Sequence, residues 1–455
     1  MSHIAINPAT GETIATHDDI SWSEARAAIA GTQRAFESWQ KVPMGARADF
    51  MRAAARILHE RASQFAELMA REMGKPLAQG RSEAEKCALV CEYYADHAAA
   101  FLEREVIATD ASTSYVTYRP LGIVFAIMPW NFPFWQVFRF AAPALMGGNA
   151  GLLKHAPNVP GCALAIEQVF RDAGFPEGLF RTLLISVPQS KQVIRHKQVA
   201  AVTLTGSTGA GKAVAKEAGY RLKKCVLELG GSDPYLILED ADLDLAVEAC
   251  ATSRLLNSGQ SCIAAKRFLV VEPIRAEFER RFVERMRRAV SGDPFREGVD
   301  LGPQARADLR DTLHDQVQRS LAKGARLLLG GTVPSGPGFF YPPTVLSDVK
   351  KGMPAYTEEF FGPVASIIPV KDAKAGIRVA NDTSFGLGAA VFTSDVARGE
   401  RIAADELQAG ACFVNAFVKS DPRLPFGGIK ESGFGRELSR HGLLEFQNAK
   451  TVYVR

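Results

Sequence analysis

The chain has 455 residues, of which 47% are hydrophobic and 23% charged, proportions ordinary for a soluble globular protein and incompatible with a disordered or collagen-like one. Its 54 basic and 50 acidic residues leave a net charge of +4, too small an excess for a nucleic-acid partner or a membrane surface. Seven scattered cysteines (87, 91, 162, 225, 250, 262 and 412) without a Cys-x-x-Cys pair argue against a disulfide framework and against any metal site, and they fit a reducing, cytoplasmic compartment.

Met1 to Glu12 shows no basic region followed by an apolar run, so no signal peptide is expected. Ser21 and Glu24 have capping-box spacing, and Ala25, Ile29, Ala35, Phe36 and Trp39 follow at helical intervals until Pro43. Gly45 to Met73 reads as one long amphipathic helix closed by Gly74 and Pro76. Ser114 to Tyr118 alternates like a strand. Leu121 to Phe138 carries no charge, but its prolines, Asn131 and Gln136 make it a buried strand and turn rather than a membrane span.

From Leu121 the pattern becomes short apolar strand, turn and helix, repeated. Gly122–Ile127, Ala150–Leu153, Val199–Leu204, Cys225–Leu229 and Tyr235–Leu238 are the first strands; Phe268–Val271, Arg326–Leu329, Ala365–Pro369 and Ala389–Thr393 form a second series. Such alternation predicts an α/β protein with two doubly wound, Rossmann-like parallel-sheet domains and a ligand cleft between them. Arg275 to Arg288, interleaved with Glu277, Glu279 and Glu284, reads as a solvated helix face.

Four motifs carry chemistry. Val202 to Ala213 places Gly206 and Ser207 in a glycine-rich turn between strand and helix, where free N–H groups and the helix dipole suit a phosphate. The spacing Gly206…Gly211-Lys212 matches a nucleotide P-loop except that Ala213 replaces the Mg²⁺-binding Ser or Thr, which disfavours an NTPase. Asn257 to Ala265 sets Cys262 in a Gly/Ser loop unlike a core strand; the bland alternative is a small buried apolar residue. Glu228, between leucines and before Gly230-Gly231, is either a general base with a raised pKa or a surface carboxylate. Pro129-Trp-Asn131-Phe-Pro133 is a rigid apolar turn holding one amide, either an oxyanion donor or a turn cap.

Together these blocks resemble the aldehyde dehydrogenase superfamily along nearly the whole chain, with Glu358-Glu-Phe-Phe-Gly-Pro363, Pro425-Phe-Gly-Gly428 and Ser432-Gly-Phe-Gly-Arg-Glu437 completing the match. The resemblance implies an NAD(P)-binding domain (1–100 and 120–230), a catalytic domain (231–425) and a small β oligomerisation element (101–119 and 436–455). It implies that Cys262 adds to an aldehyde, that the Asn131 amide and the Cys262 N–H hold the oxyanion, and that Glu228 activates water against a thioester. Trp130, Lys154, Gly206, Ser207, Glu359 and Phe361 are the implied cofactor contacts. Pro157 stands where NAD-preferring relatives carry a Glu, so NAD or NADP is admitted, with His155 as the one candidate extra phosphate donor.

Within the superfamily the chain is most like the succinate-semialdehyde subgroup. Arg139, eight residues after Asn131, and Ser420 are the implied ligands of a distal carboxylate. Leu256 replaces a polar or basic residue common in that subgroup, and Arg254 lies nearby as a substitute. Trp135 and Phe132 suit instead a larger apolar aldehyde, the alternative being a general aldehyde dehydrogenase. Thr113–Arg119 and Thr451–Val454 resemble the family's oligomerisation strands, which implies a homodimer or a homotetramer.

Overall fold

A computed structural model describes residues 2–455. The chain opens with an antiparallel hairpin, Ser2–Ile6 against Thr13–Asp18, followed by the helices Trp22–Trp39, Met44–Glu60, Ala62–Met73 and Leu77–Phe101. Both bonds of the Ser21/Glu24 capping box form, and Gly74 ends the third helix in the left-handed region (φ +77°). The single helix expected over 45–73 is two. Arg61 (φ −105°, ψ 16°) breaks it, and its guanidinium bonds Asp172 at 2.6 Å. No Gly or Pro marks the break, and one residue out of register leaves the apolar stripe intact, so the sequence pattern runs straight through it.

The first sheet has six strands in the order Gly433–Phe434, Lys224–Glu228, Val199–Thr205, Ile123–Met128, Ala150–His155 and Phe180–Thr182. All pairs are parallel except the first. The order reverses at Ile123–Met128, whose carboxyl end feeds Pro129 to Pro133. The oxyanion motif therefore sits at the topological switch point, where doubly wound sheets bind ligands.

The second sheet has seven strands in the order Arg326–Leu329, Thr344–Ser347, Val364–Val370, Ala265–Val271, Asp233–Ile237, Gly388–Phe392 and Ala411–Val414. It departs from the all-parallel expectation at one edge, where Arg326–Leu329 runs antiparallel to Thr344–Ser347. Both sheets are covered by helices, and buried apolar clusters fill the space on their faces. A third, antiparallel sheet joins Gln447–Val454, Thr113–Pro120 and Glu105–Val106.

Candidate active site

Cys262 sits between the helix Leu243–Leu255 and the strand Ala265–Val271. The chain reaches it through three successive left-handed residues, Asn257 (φ +55°), Ser258 (φ +54°) and Gly259 (φ +74°). A Cβ on Gly259 would fall inside the Gly362 carbonyl, so only glycine fits there. Such backbone persists only when it is over-determined. Buried Arg254 supplies part of that restraint, donating to the Ala265 carbonyl at 3.0 Å and the Gly259 carbonyl at 2.5 Å. Arg254 thus braces the cysteine loop and is not among the residues lining the cavity at Cys262. Lys266, also buried, donates to the carbonyls of Ser261 (2.9 Å) and Cys262 (2.5 Å). Burial pushes the Cys262 thiol up to about 12, against the pull of Lys266 and Arg139.

Asn131 is buried across from this loop, and its Nδ2 donates to the Gln260 carbonyl at 3.0 Å. That bond uses one of its two N–H groups, and the Cys262 backbone N–H has no acceptor among the described residues. The turn is fixed by two charges that the sequence motifs did not single out. Glu83 Oε1 accepts from the backbone N–H groups of Phe134 (2.9 Å) and Trp135 (3.0 Å), and its other oxygen is ion-paired with Lys75. Lys75 in turn donates to the Asn131 carbonyl at 3.0 Å and lies 3.9 Å over the Phe132 ring. A carboxylate on the apolar face of the helix Leu77–Phe101, between Gly80 and Cys87, was the available signal.

Glu228 ends its strand opposite Gly433. Both carboxyl oxygens are buried without a hydrogen-bond partner among the described residues. Burial, and then the nearby Glu437, push its pKa well above the usual range, while Arg139 and Arg436 oppose them. Arg139 does not stand free in the pocket as expected of a substrate ligand. Its guanidinium is ion-paired with buried Glu437, bonds Thr205 Oγ1 at 3.3 Å and stacks 4.7 Å from Phe426. One cation is thus shared between two buried acids.

On the cofactor side, Ser207 caps the helix Thr208–Tyr220 by accepting from Ala210 N (3.3 Å), and the Gly206 N–H is tied to the Glu228 carbonyl. The N–H groups of Thr208 and Gly209, at the start of that helix, have no acceptor among the described residues. Lys212, the P-loop-like lysine, instead pairs with Glu431 at the surface (2.7 Å), which removes the NTPase reading. Buried Lys154 donates to the His155 carbonyl (3.0 Å), and the buried Asn158 amide has neither atom partnered among the described residues. Glu359 accepts from Gly231 N (3.0 Å) and pairs with Lys266 (3.3 Å); Phe361 meets Trp130 edge-on at 5.7 Å. This donor set, with a helix N-terminus, a buried lysine and an orphaned amide, fits a dinucleotide. His155 drops out as a phosphate donor. Burial pushes it down to about 4, and its ring nitrogens are occupied by Pro133 O and Ala156 N.

A cavity of about 320 Å³ opens at Cys262. Phe132, Trp135, Leu256 and Phe417 give it apolar walls, and Lys86, Gln136, Arg139 and Ser420 add polar groups. Lys86, absent from the sequence motifs, donates to Ser420 Oγ at 2.8 Å and lies 4.2 Å over the Trp135 ring.

The aldehyde dehydrogenase family model matches residues 2–452. The chain belongs to the aldehyde dehydrogenase family. It is 49% identical over 454 residues, the whole of both chains, to a probable succinate-semialdehyde dehydrogenase [NADP(+)] of Synechocystis sp.. It is 48% identical to a succinate semialdehyde dehydrogenase [NAD(P)+] of Escherichia coli, covering 99% of this chain and 97% of that one. The crystal structure of succinic semialdehyde dehydrogenase from Streptococcus pyogenes in complex with NADP+ superposes with a TM-score of 0.97 at 36% identity, over 99% of each chain.

Gly427 leaves the unpartnered Glu228 carboxyl its room. A Cβ there would stand 2.7 Å from Glu228 Oε1 and 2.8 Å from the Gly435 carbonyl. Gly427→Ala is expected to lower kcat roughly 100-fold, the scale of a 1 Å misplacement, while Cys262 still reacts with a thiol reagent. Undiminished kcat would show that the close approach has no catalytic consequence.

Proposed function

We propose that the chain oxidises succinate semialdehyde to succinate with NAD or NADP, through a thioester on Cys262. The observation that carries this reading is one cavity lined by Cys262 together with Lys86, Arg139 and Ser420. A small substrate with an aldehyde at one end and an anion at the other matches that polarity. The names of the Synechocystis and Escherichia coli relatives support the same substrate. The aromatic walls, Phe132 and Trp135, favour the second reading of a general aliphatic or aromatic aldehyde dehydrogenase.

Cys262 gives up its thiol proton to solvent water and adds as the thiolate to the aldehyde carbon, assisted by Lys266 and Arg139, which both favour the thiolate. The free Asn131 N–H and the Cys262 backbone N–H take the oxygen on which charge develops. A bound nicotinamide dinucleotide supplies the acceptor for the two electrons that leave with the aldehyde hydrogen. Trp130, Lys154, Gly206, Ser207, Glu359 and Phe361 would hold it. Glu228, ionised, then takes a proton from the water that cleaves the Cys262 thioester. Its raised pKa makes it a stronger base than an exposed carboxylate. Pro157, in place of an acidic residue, leaves no repulsion against a 2′-phosphate.

The three-stranded sheet leaves an outer edge at Gln447–Val454, with Tyr453 and Val454 exposed. Pairing that edge with a second copy makes a homodimer, or a homotetramer built from dimers. Light scattering is expected to return a multiple of the 49.3 kDa chain mass; a single chain mass at micromolar concentration contradicts this. For the activity, the absorbance of reduced nicotinamide is followed with both cofactors over a panel of aldehydes. A kcat/KM for succinate semialdehyde roughly tenfold or more above butanal is expected from one charge-assisted contact. Equal or better use of butanal or benzaldehyde would replace this reading with the general one.

A further inference from the structure

We propose that Lys86 is the cation that receives the distal carboxylate of the substrate, with Ser420 as its hydroxyl partner. The inference rests on the semialdehyde reading above and adds the residue that sets it. Of the three cations that line the cavity, Lys419 is exposed to solvent, and Arg139 is already neutralised by its ion pair with Glu437 and held by Thr205 and Phe426. Lys86 has no carboxylate within 4.0 Å among the described residues. The acids nearest it are spoken for: Glu83 by Lys75 and the oxyanion turn, Asp421 by Arg423 at 2.7 Å.

The ammonium has three N–H donors. Ser420 Oγ takes one at 2.8 Å, the Trp135 face lies 4.2 Å away, and the remaining donors have no acceptor among the described residues. A half-buried cation, lacking a counter-ion and bounded by an indole face and a hydroxyl, is the complement of a carboxylate. Burial, with help from Arg139, lowers the Lys86 pKa to about 8, against the pull of Glu83 and Asp421.

The helix Leu77–Phe101 gives the arrangement its geometry. Glu83 and Lys86, three residues apart, lie on one face of it. Glu83 fixes the turn that carries Asn131, and Lys86 marks where the far end of the substrate lies. The distance between the two ends of the substrate site is thus set within one helical turn of a rigid element.

The test compares wild type with Lys86→Met, Lys86→Arg and Arg139→Ala by the ratio of kcat/KM for succinate semialdehyde to that for butanal. Lys86→Met is expected to lower the ratio roughly 30-fold, mainly through KM, as for truncation of one partner in a charged hydrogen-bonded pair. Lys86→Arg keeps the charge and retains most of the ratio. Arg139→Ala, which strands Glu437 and Glu228 without their shared cation, lowers kcat/KM for both aldehydes and changes the ratio little.

A pH series provides a readout that a merely structural lysine would not move. The groups facing Lys86 are Glu83 and Cys87 on its own helix, Arg139 from the helix Trp135–Met146, and Asp421 from the C-terminal segment. The wild-type ratio should fall as pH rises through about 8 and Lys86 loses its proton, and in Lys86→Arg it should stay level. A wild-type preference for succinate semialdehyde that survives Lys86→Met but collapses in Arg139→Ala overturns the assignment and leaves the substrate reading standing. A wild type without any preference overturns the substrate reading, and the assignment with it.

Discussion

A single carboxylate, Glu83, ties the parts of the site together. It takes the two N–H groups that open the helix Trp135–Met146, an end that no side chain of its own caps. Its charge is balanced by Lys75, which is buried with it and reaches on to the Asn131 carbonyl. A buried pair of this kind is stabilising only when its remaining hydrogen-bonding capacity is used, and here it is. Losing either partner would leave a buried charge alone, at a cost of about 3–5 kcal/mol. The pair therefore fixes at once the oxyanion turn, the Trp135 wall and the helix that delivers Arg139.

Around that anchor the ionisable groups are left unsatisfied where chemistry is to occur. Cys262 and Glu228 are both held toward their neutral forms by burial, and each faces cations that favour its charged form. Arg139 links the two, since its field reaches Cys262 while its guanidinium holds Glu437 beside Glu228. Lys266 couples the cysteine loop to Glu359, so the Cys262 backbone and the Glu359 carboxylate share one buried cation. Paired structural charges and unpaired reactive ones lie side by side, and the difference between them marks function.

Much of this was legible in the sequence because it rests on local chemistry. Capping boxes, strand periodicity and glycine turns depend on neighbours in the chain, and the helix Trp22–Trp39 and most strands fall where the pattern puts them. Gly259, Asn131 and Glu228 stand out because their residue types are costly in their settings. What stayed hidden depends on residues distant in sequence. Lys86 lies 334 residues from Ser420, and Arg139 finds Glu437 only because Gly433–Phe434 returns to pair with the strand Lys224–Glu228. A two-residue strand has no periodicity to read. Spacing from Asn131 cannot show that the Arg139 guanidinium is already ion-paired with Glu437.

The covalent division of labour between Cys262 and Glu228 is tested most directly by trapping. Glu228→Gln keeps the shape of the side chain and removes its capacity as a base. Mixed with succinate semialdehyde and NADP, it should release one burst of reduced cofactor and then stall. Mass spectrometry should find a succinyl group on the peptide bearing Cys262. Steady turnover at the wild-type rate, with Cys262 unmodified throughout, would contradict the account.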